Sequence, residues 1–109
     1  MDISTAVINL AALAQESRLQ IFRLLVEHAP EGLCVGDIGE ELGIAPATLS
    51  FHLKELCQCG LITANRRSRH IYYAADLVVM NALVDYLTDH CCGGAGCPPK
   101  PRTKSRKKS

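Results

Sequence analysis

Gly43 and Pro46 stand between two stretches that both repeat apolar residues at helical spacing. Upstream, Ile38 and Leu42 lie one turn apart. Downstream, Leu49, Leu53 and Leu56 fall on one narrow arc at about 100° per residue. Glycine closes a helix because it enters the left-handed conformation freely, and proline opens one because its missing N–H would have no partner there. The spacing predicts a short helix over 35–42, a tight turn, and a second helix from Pro46 to about Cys59, stopped by Gly60. Two helices joined so closely form a helix-turn-helix. So short a connection leaves the pair few ways to pack, and the rest of the chain has to build around it.

Upstream, residues 4–14 read as a helix with Val7, Leu10, Ala11 and Ala14 on one stripe. Ser17 is the expected cap of a second helix carrying Leu19, Phe22, Leu25 and Val26, which the Pro30 and Gly32 region ends. Downstream, 61–64 and 69–74 are β-prone, and Asn65-Arg66-Arg67-Ser68 is the expected tip of a hairpin, or wing. A last helix over 76–90 carries Leu77, Met80, Val84 and Leu87. The fold class is therefore mainly α with a small β-hairpin wing (α+β). At 109 residues the chain makes one domain with a small core, for which dimerisation is a natural source of further stability. That domain is expected over 1–92, and 93–109 as a flexible Gly/Cys/Pro loop with a basic tail.

Residues 100–109 hold six of the twelve Lys and Arg and no acid, so the preceding 99 residues carry a balance of −5. Such a tail suits unspecific attraction to phosphates, or simple solvation. No apolar run approaches the ~20 residues of a membrane span, and no basic residue precedes Arg18, as a signal peptide would need. A cytoplasmic protein without membrane contact is expected. There the six cysteines stay reduced and point to metal or redox chemistry. An enzyme is not expected: no Cys-x-x-Cys lies on a βαβ unit and there is no phosphate-binding loop.

Opposite its leucine arc, the second helix of the pair presents Ala47, Ser50, Phe51, Lys54 and Gln58, with Thr48 and His52 on the border. The centre of this face holds no acid. Ala47 and Phe51 suit thymine methyls, Ser50 a base edge, and Lys54 a phosphate or guanine. His52 fits either a DNA contact or a packed, hydrogen-bonded position. An aromatic ring on that face has no packing reason to exist. Arg66, Arg67, Arg69 and His70 then fall in the wing, where such side chains grip phosphates or enter the minor groove. Double-stranded operator DNA is the expected partner.

LSFHLKELCQCGLI followed by RRSRHIYYAA resembles the ArsR/SmtB family of bacterial winged-helix metal-responsive repressors. The resemblance rests on Ser50, His52, Leu53, Lys54 and Leu56 in the reading helix, on Arg69, His70, Tyr72 and Tyr73 in the wing, and on SRLQIFRLL at 17–25. It spans about residues 5–90. It implies a homodimer joined through the first and last helices, bound to a two-fold operator and released by a ligand.

The cysteines bear on which ligand. Arsenic-responsive members of that family often carry Leu-Cys-Val-Cys-Asp-Leu, but here Gly36 takes the second thiol position after Cys34. Zinc-responsive members use Asp-x-His early in the last helix, and here Val78 follows Asp76. Cys57 and Cys59 point about 200° apart on a helix and cannot share an ion. Cys91, Cys92 and Cys97 remain, around a spacer of three glycines and an alanine. Trivalent arsenic takes three ligands on one side, and a glycine-rich loop can fold the third thiol back onto an adjacent pair. As(III) or Sb(III) is the expected inducer. Zinc, cadmium or lead on His90 and the three thiols is the alternative, and a thiol redox switch another.

Overall fold

The computed structural model describes residues 1–89. Helix α1 runs Ile3–Leu13 and starts where the Asp2 carboxylate accepts the Thr5 N–H at 2.9 Å. Helix α2, Glu16–Glu27, is capped by Gln15, whose side-chain oxygen accepts the Arg18 N–H at 2.9 Å. Ser17, the expected cap, already lies inside the first turn. A two-residue strand β1, Leu33–Cys34, leads directly into α3, Val35–Leu42. Gly43 closes α3 in the left-handed conformation at φ 67°, its N–H donating to the Gly39 carbonyl at 2.8 Å. Helix α4, Pro46–Gln58, follows with proline in its first turn.

The hairpin is longer than its sequence suggests. Strands β2, Ile62–Arg67, and β3, His70–Ala75, pair from Ile62 opposite Ala75 up to Arg67 opposite His70. Only Ser68 and Arg69 turn the chain, Ser68 with φ 56°. Asn65 to Arg67 are strand residues. They look like a turn because this end of β2 is exposed on both faces, so the apolar alternation that marks a strand is missing. Strand β1 adds to the other edge of β3, Leu33 opposite Tyr73 and Cys34 opposite Tyr72, giving the antiparallel order β1-β3-β2. Gly32 brings the chain in at φ 80°, and a Cβ there would collide with the Tyr73 carbonyl. Helix α5, Leu77–Thr88, starts on Asp76, whose carboxylate accepts the Val78 and Val79 N–H groups. The expected domain boundary at residue 92 lies outside the described residues.

The core joins Ile21 and Leu25 of α2, Ile38 of α3, the three leucines of α4, and Leu61, Ile62 and Ala75 of the wing's base. Each fully buried Leu or Ile contributes about 1.5–3 kcal/mol. The leucine arc read from α4 is the buried one. On α1 the inward positions are Ala6 and Asn9, and Val7 and Leu10 of the expected stripe stay exposed. On α5 Leu83 is buried, whereas Val78, Val84 and Leu87 face outward. The first and last described helices, α1 and α5, thus carry apolar residues that stay exposed among the described residues.

Candidate nucleic-acid interface

The candidate interface is α4 with the wing beside it. Ala47, Thr48, Ser50, Phe51 and Lys54 are all exposed, and Phe51 keeps 56% of its surface in solvent. Ala45 precedes the helix without a side-chain cap, and uncapped N–H groups at a helix start suit phosphate oxygens. His52 does not join this face. It is 7% exposed, tilted against Phe51 with ring centroids 5.8 Å apart, and its Nδ1 lies 3.4 Å from Arg18 Nη1. Burial pushes the imidazole below its ordinary pKa, the Arg18 charge pushes further, and Glu55 opposes them.

In the wing, Arg66, Arg67, Arg69 and His70 are exposed. Arg66 and Arg67 are neighbours on one strand and so leave its two faces. Arg67 is pre-positioned. Its guanidinium carbon sits 4.1 Å from the centre of the Tyr72 ring, and Nη2 donates to the Glu31 carbonyl at 3.2 Å. The roles of Tyr72 and Glu31 were not visible in the sequence beforehand. The pairing that brings Arg67 and Tyr72 together is set by the strand register, in which Asn65 opposes Tyr72 and Arg67 opposes His70.

The described cysteines make local contacts. Cys34 occupies the N-cap position of α3 without a side-chain capping bond and donates its S–H to Asp37 Oδ2 at 3.3 Å. Cys59 ends α4 and donates to the Leu56 carbonyl at 3.4 Å. Both are free and half-buried, as is Cys57, whose thiol burial pushes up. No group of three or more metal-ligating side chains comes together among the described residues. Asp76 is engaged as the cap of α5. Cys91, Cys92 and Cys97, with His90, lie outside the described residues. Within the described residues no helix is long and apolar enough to cross a membrane.

Residues 15–64, from the cap of α2 into β2, match the model of the bacterial regulatory protein, arsR family. YbzH, an uncharacterised HTH-type transcriptional regulator of Bacillus subtilis (strain 168), is 36% identical over 88 residues, covering 70% of this chain and 88% of YbzH. The chain belongs to the arsR family of bacterial regulatory proteins. Another of its relatives, the transcriptional activator HlyU of Vibrio cholerae, is 30% identical over 82 residues, 75% of this chain and 73% of HlyU. The structure of reduced HlyU matches with a TM-score of 0.64 at 29% identity, over 82% of this chain and 90% of that one. The homodimeric winged helix-turn-helix DNA-binding domain of Mb0332 from Mycobacterium bovis matches with a TM-score of 0.62 at 28% identity, over 89% and 90%. This arsR-family chain is a winged helix-turn-helix transcriptional regulator, and its relatives are regulators rather than enzymes.

Proposed function

We propose that the protein is a homodimeric repressor that holds operator DNA through α4 and the wing and lets go on binding As(III) or Sb(III) at Cys91, Cys92 and Cys97. The observation that carries the DNA half is Phe51: an aromatic side chain more than half in solvent, on a helix face with no acid at its centre and flanked by an arginine wing. Exposed apolar residues on α1 and α5 support the dimer, as does the homodimeric Mb0332 domain. Three observations support the inducer. Three thiols fall within seven residues. Cys34, Cys57 and Cys59 have other partners or packing. The zinc-type position is spent on capping α5.

Ion capture next to the end of α5 biases the spacing of the two reading helices in the dimer. By linkage the ion then binds the DNA-free dimer more tightly than the bound one, by the same factor that it weakens DNA binding. The test is a titration of a fluorescent duplex, selected by the protein from random-sequence DNA, first with protein and then with As(III), Sb(III), zinc, cadmium, lead and an oxidant. Release by the trivalent ions supports the proposal. Release by zinc, cadmium, lead or the oxidant alone replaces the inducer, and release by none makes the protein a constitutive DNA binder.

A further inference from the structure

His52 sits mid-way along α4 yet faces inward, where it meets Arg18 from the first turn of α2. Arg18 has a second engagement. Its Nε–H donates to the Ala12 carbonyl at 2.7 Å, one of the carbonyls left over at the end of α1. A cleft of about 350 Å³ separates α1 from α4 beside it, lined among others by Ile8, Ala11, Glu55 and Gln58. The guanidinium spans that separation. One planar group thus ties the last turn of α1 to the underside of the reading helix, while Phe51, the adjacent residue, stands on the outer face.

We infer that Arg18 and His52 form a positioning link that sets the reading helix relative to α1, and that His52 acts on DNA only through this link. Arginine can only donate, so the imidazole Nδ1 must accept and its proton resides on Nε2. A protonated ring has two donors and a charge of the same sign as its partner, so protonation breaks the link. The charged groups acting on the ring are Arg18 from α2 and Glu55 from the next turn of α4, and α1 has no ionisable side chain between Ile3 and Leu13. The two charges oppose one another, and the burial of the ring favours the neutral, linked form.

The inference rests on α4 being the DNA-reading element, and its test separates the two. The probe is a labelled duplex selected by the wild-type protein from a random-sequence pool, with circular dichroism confirming that each variant is folded. At pH 7.5, Arg18→Ala and His52→Leu each weaken binding about tenfold, and the double variant loses no more than either alone. His52→Gln retains most of the affinity, because its amide oxygen can accept from Arg18. The deciding quantity is the ratio of wild-type to His52→Gln affinity as pH falls from about 7.5 to about 5. The link requires that ratio to fall, since only the histidine gains a proton and breaks. A direct histidine–phosphate contact makes it rise, and a purely packed ring leaves it flat. Either of these outcomes overturns the link, even where Arg18→Ala fails to fold. Failure to select any duplex overturns the DNA-reading role itself, and the link with it.

Discussion

Phe51 and His52 are consecutive in the chain and point about 100° apart on one helix, their rings still tilted against each other. One ring is kept in water and the other is kept out of it. Their chemistry differs accordingly. A buried imidazole whose pKa is held down binds fewer protons in the folded chain than in the unfolded one. Folding stability is then complete above the ordinary histidine value of about 6.5 and is lost as pH falls through the lower folded value. Urea unfolding measured from pH 7.5 downwards should show that loss, and His52→Gln should show a shallower one. The thiols also divide by residue. Inorganic As(III) has three exchangeable positions and a monomethylated trivalent arsenical has two, and under the proposed function Cys97 would have to bring the three glycines and alanine between it and the other two thiols into one arrangement. Cys97→Ser should therefore lose release of DNA by inorganic As(III) and keep release by methylarsenite. Cys91→Ser and Cys92→Ser should each lose both. Cys34→Ser should lose neither, because its thiol is spent on Asp37. Anisotropy of the labelled duplex reads all of these, and silence of Cys34→Ser together with full response of Cys97→Ser would move the site.

Among the elements, the wing is the one whose geometry departs most from its sequence. Arg67 rests on Tyr72 and the Glu31 carbonyl, so its guanidinium is ordered before DNA arrives and pays less on binding. Arg67→Ala should weaken operator binding and lower the salt slope by about 0.9 for the one phosphate given up. Tyr72→Leu should weaken binding by a smaller amount while the salt slope stays, because the charge remains and only its platform is removed. Binding isotherms at several salt concentrations distinguish the two. The helix-turn-helix was legible because Gly43, Pro46 and the leucine arc act locally. Strand β1 was not, since two residues carry no periodicity and its partner Tyr73 is forty positions away. The exposed face of α4 was legible from its residue types, whereas His52, on its border, could be read as either a DNA contact or a packed ring and is buried. Arg18 was not, because its two partners belong to other helices and nothing in SRLQIF marks them.

For the whole molecule, the outward apolar residues of α1 and α5 matter most. Val84 and Leu87 are each more than half exposed on α5, and Ile3 and Val7 likewise on α1. These side chains contribute little to the single chain and are available to a second copy. Val84→Asp should leave secondary structure and the chain's own core intact, yet shift the sedimentation coefficient to that of a monomer and abolish tight operator binding. A dimer that survives this change would place the interface elsewhere. The α1 stripe has the same explanation: Val7 and Leu10 look like core residues in the sequence, yet they stay exposed among the described residues, as a pairing surface for a second copy requires.

Strand β1 has a consequence for how the fold opens. It is only two residues long, draws its pairing from β3, and runs without a break into the first turn of α3. The root of the wing and the start of the helix-turn-helix are therefore one cooperative unit, whereas the turn at Ser68 and Arg69 is held by the hairpin and by one side-chain bond beside it, from Arg67 to the Glu31 carbonyl. In native-state hydrogen exchange, the amides of β1, the β3 residues beside it and the first turn of α3 should open with a shared free energy. The outer pairs near Arg67 and His70 should exchange sooner and independently. Heat or denaturant should then loosen the arginine-bearing tip while the helix pair stays assembled, so that under the proposed function phosphate grip is lost before the reading surface.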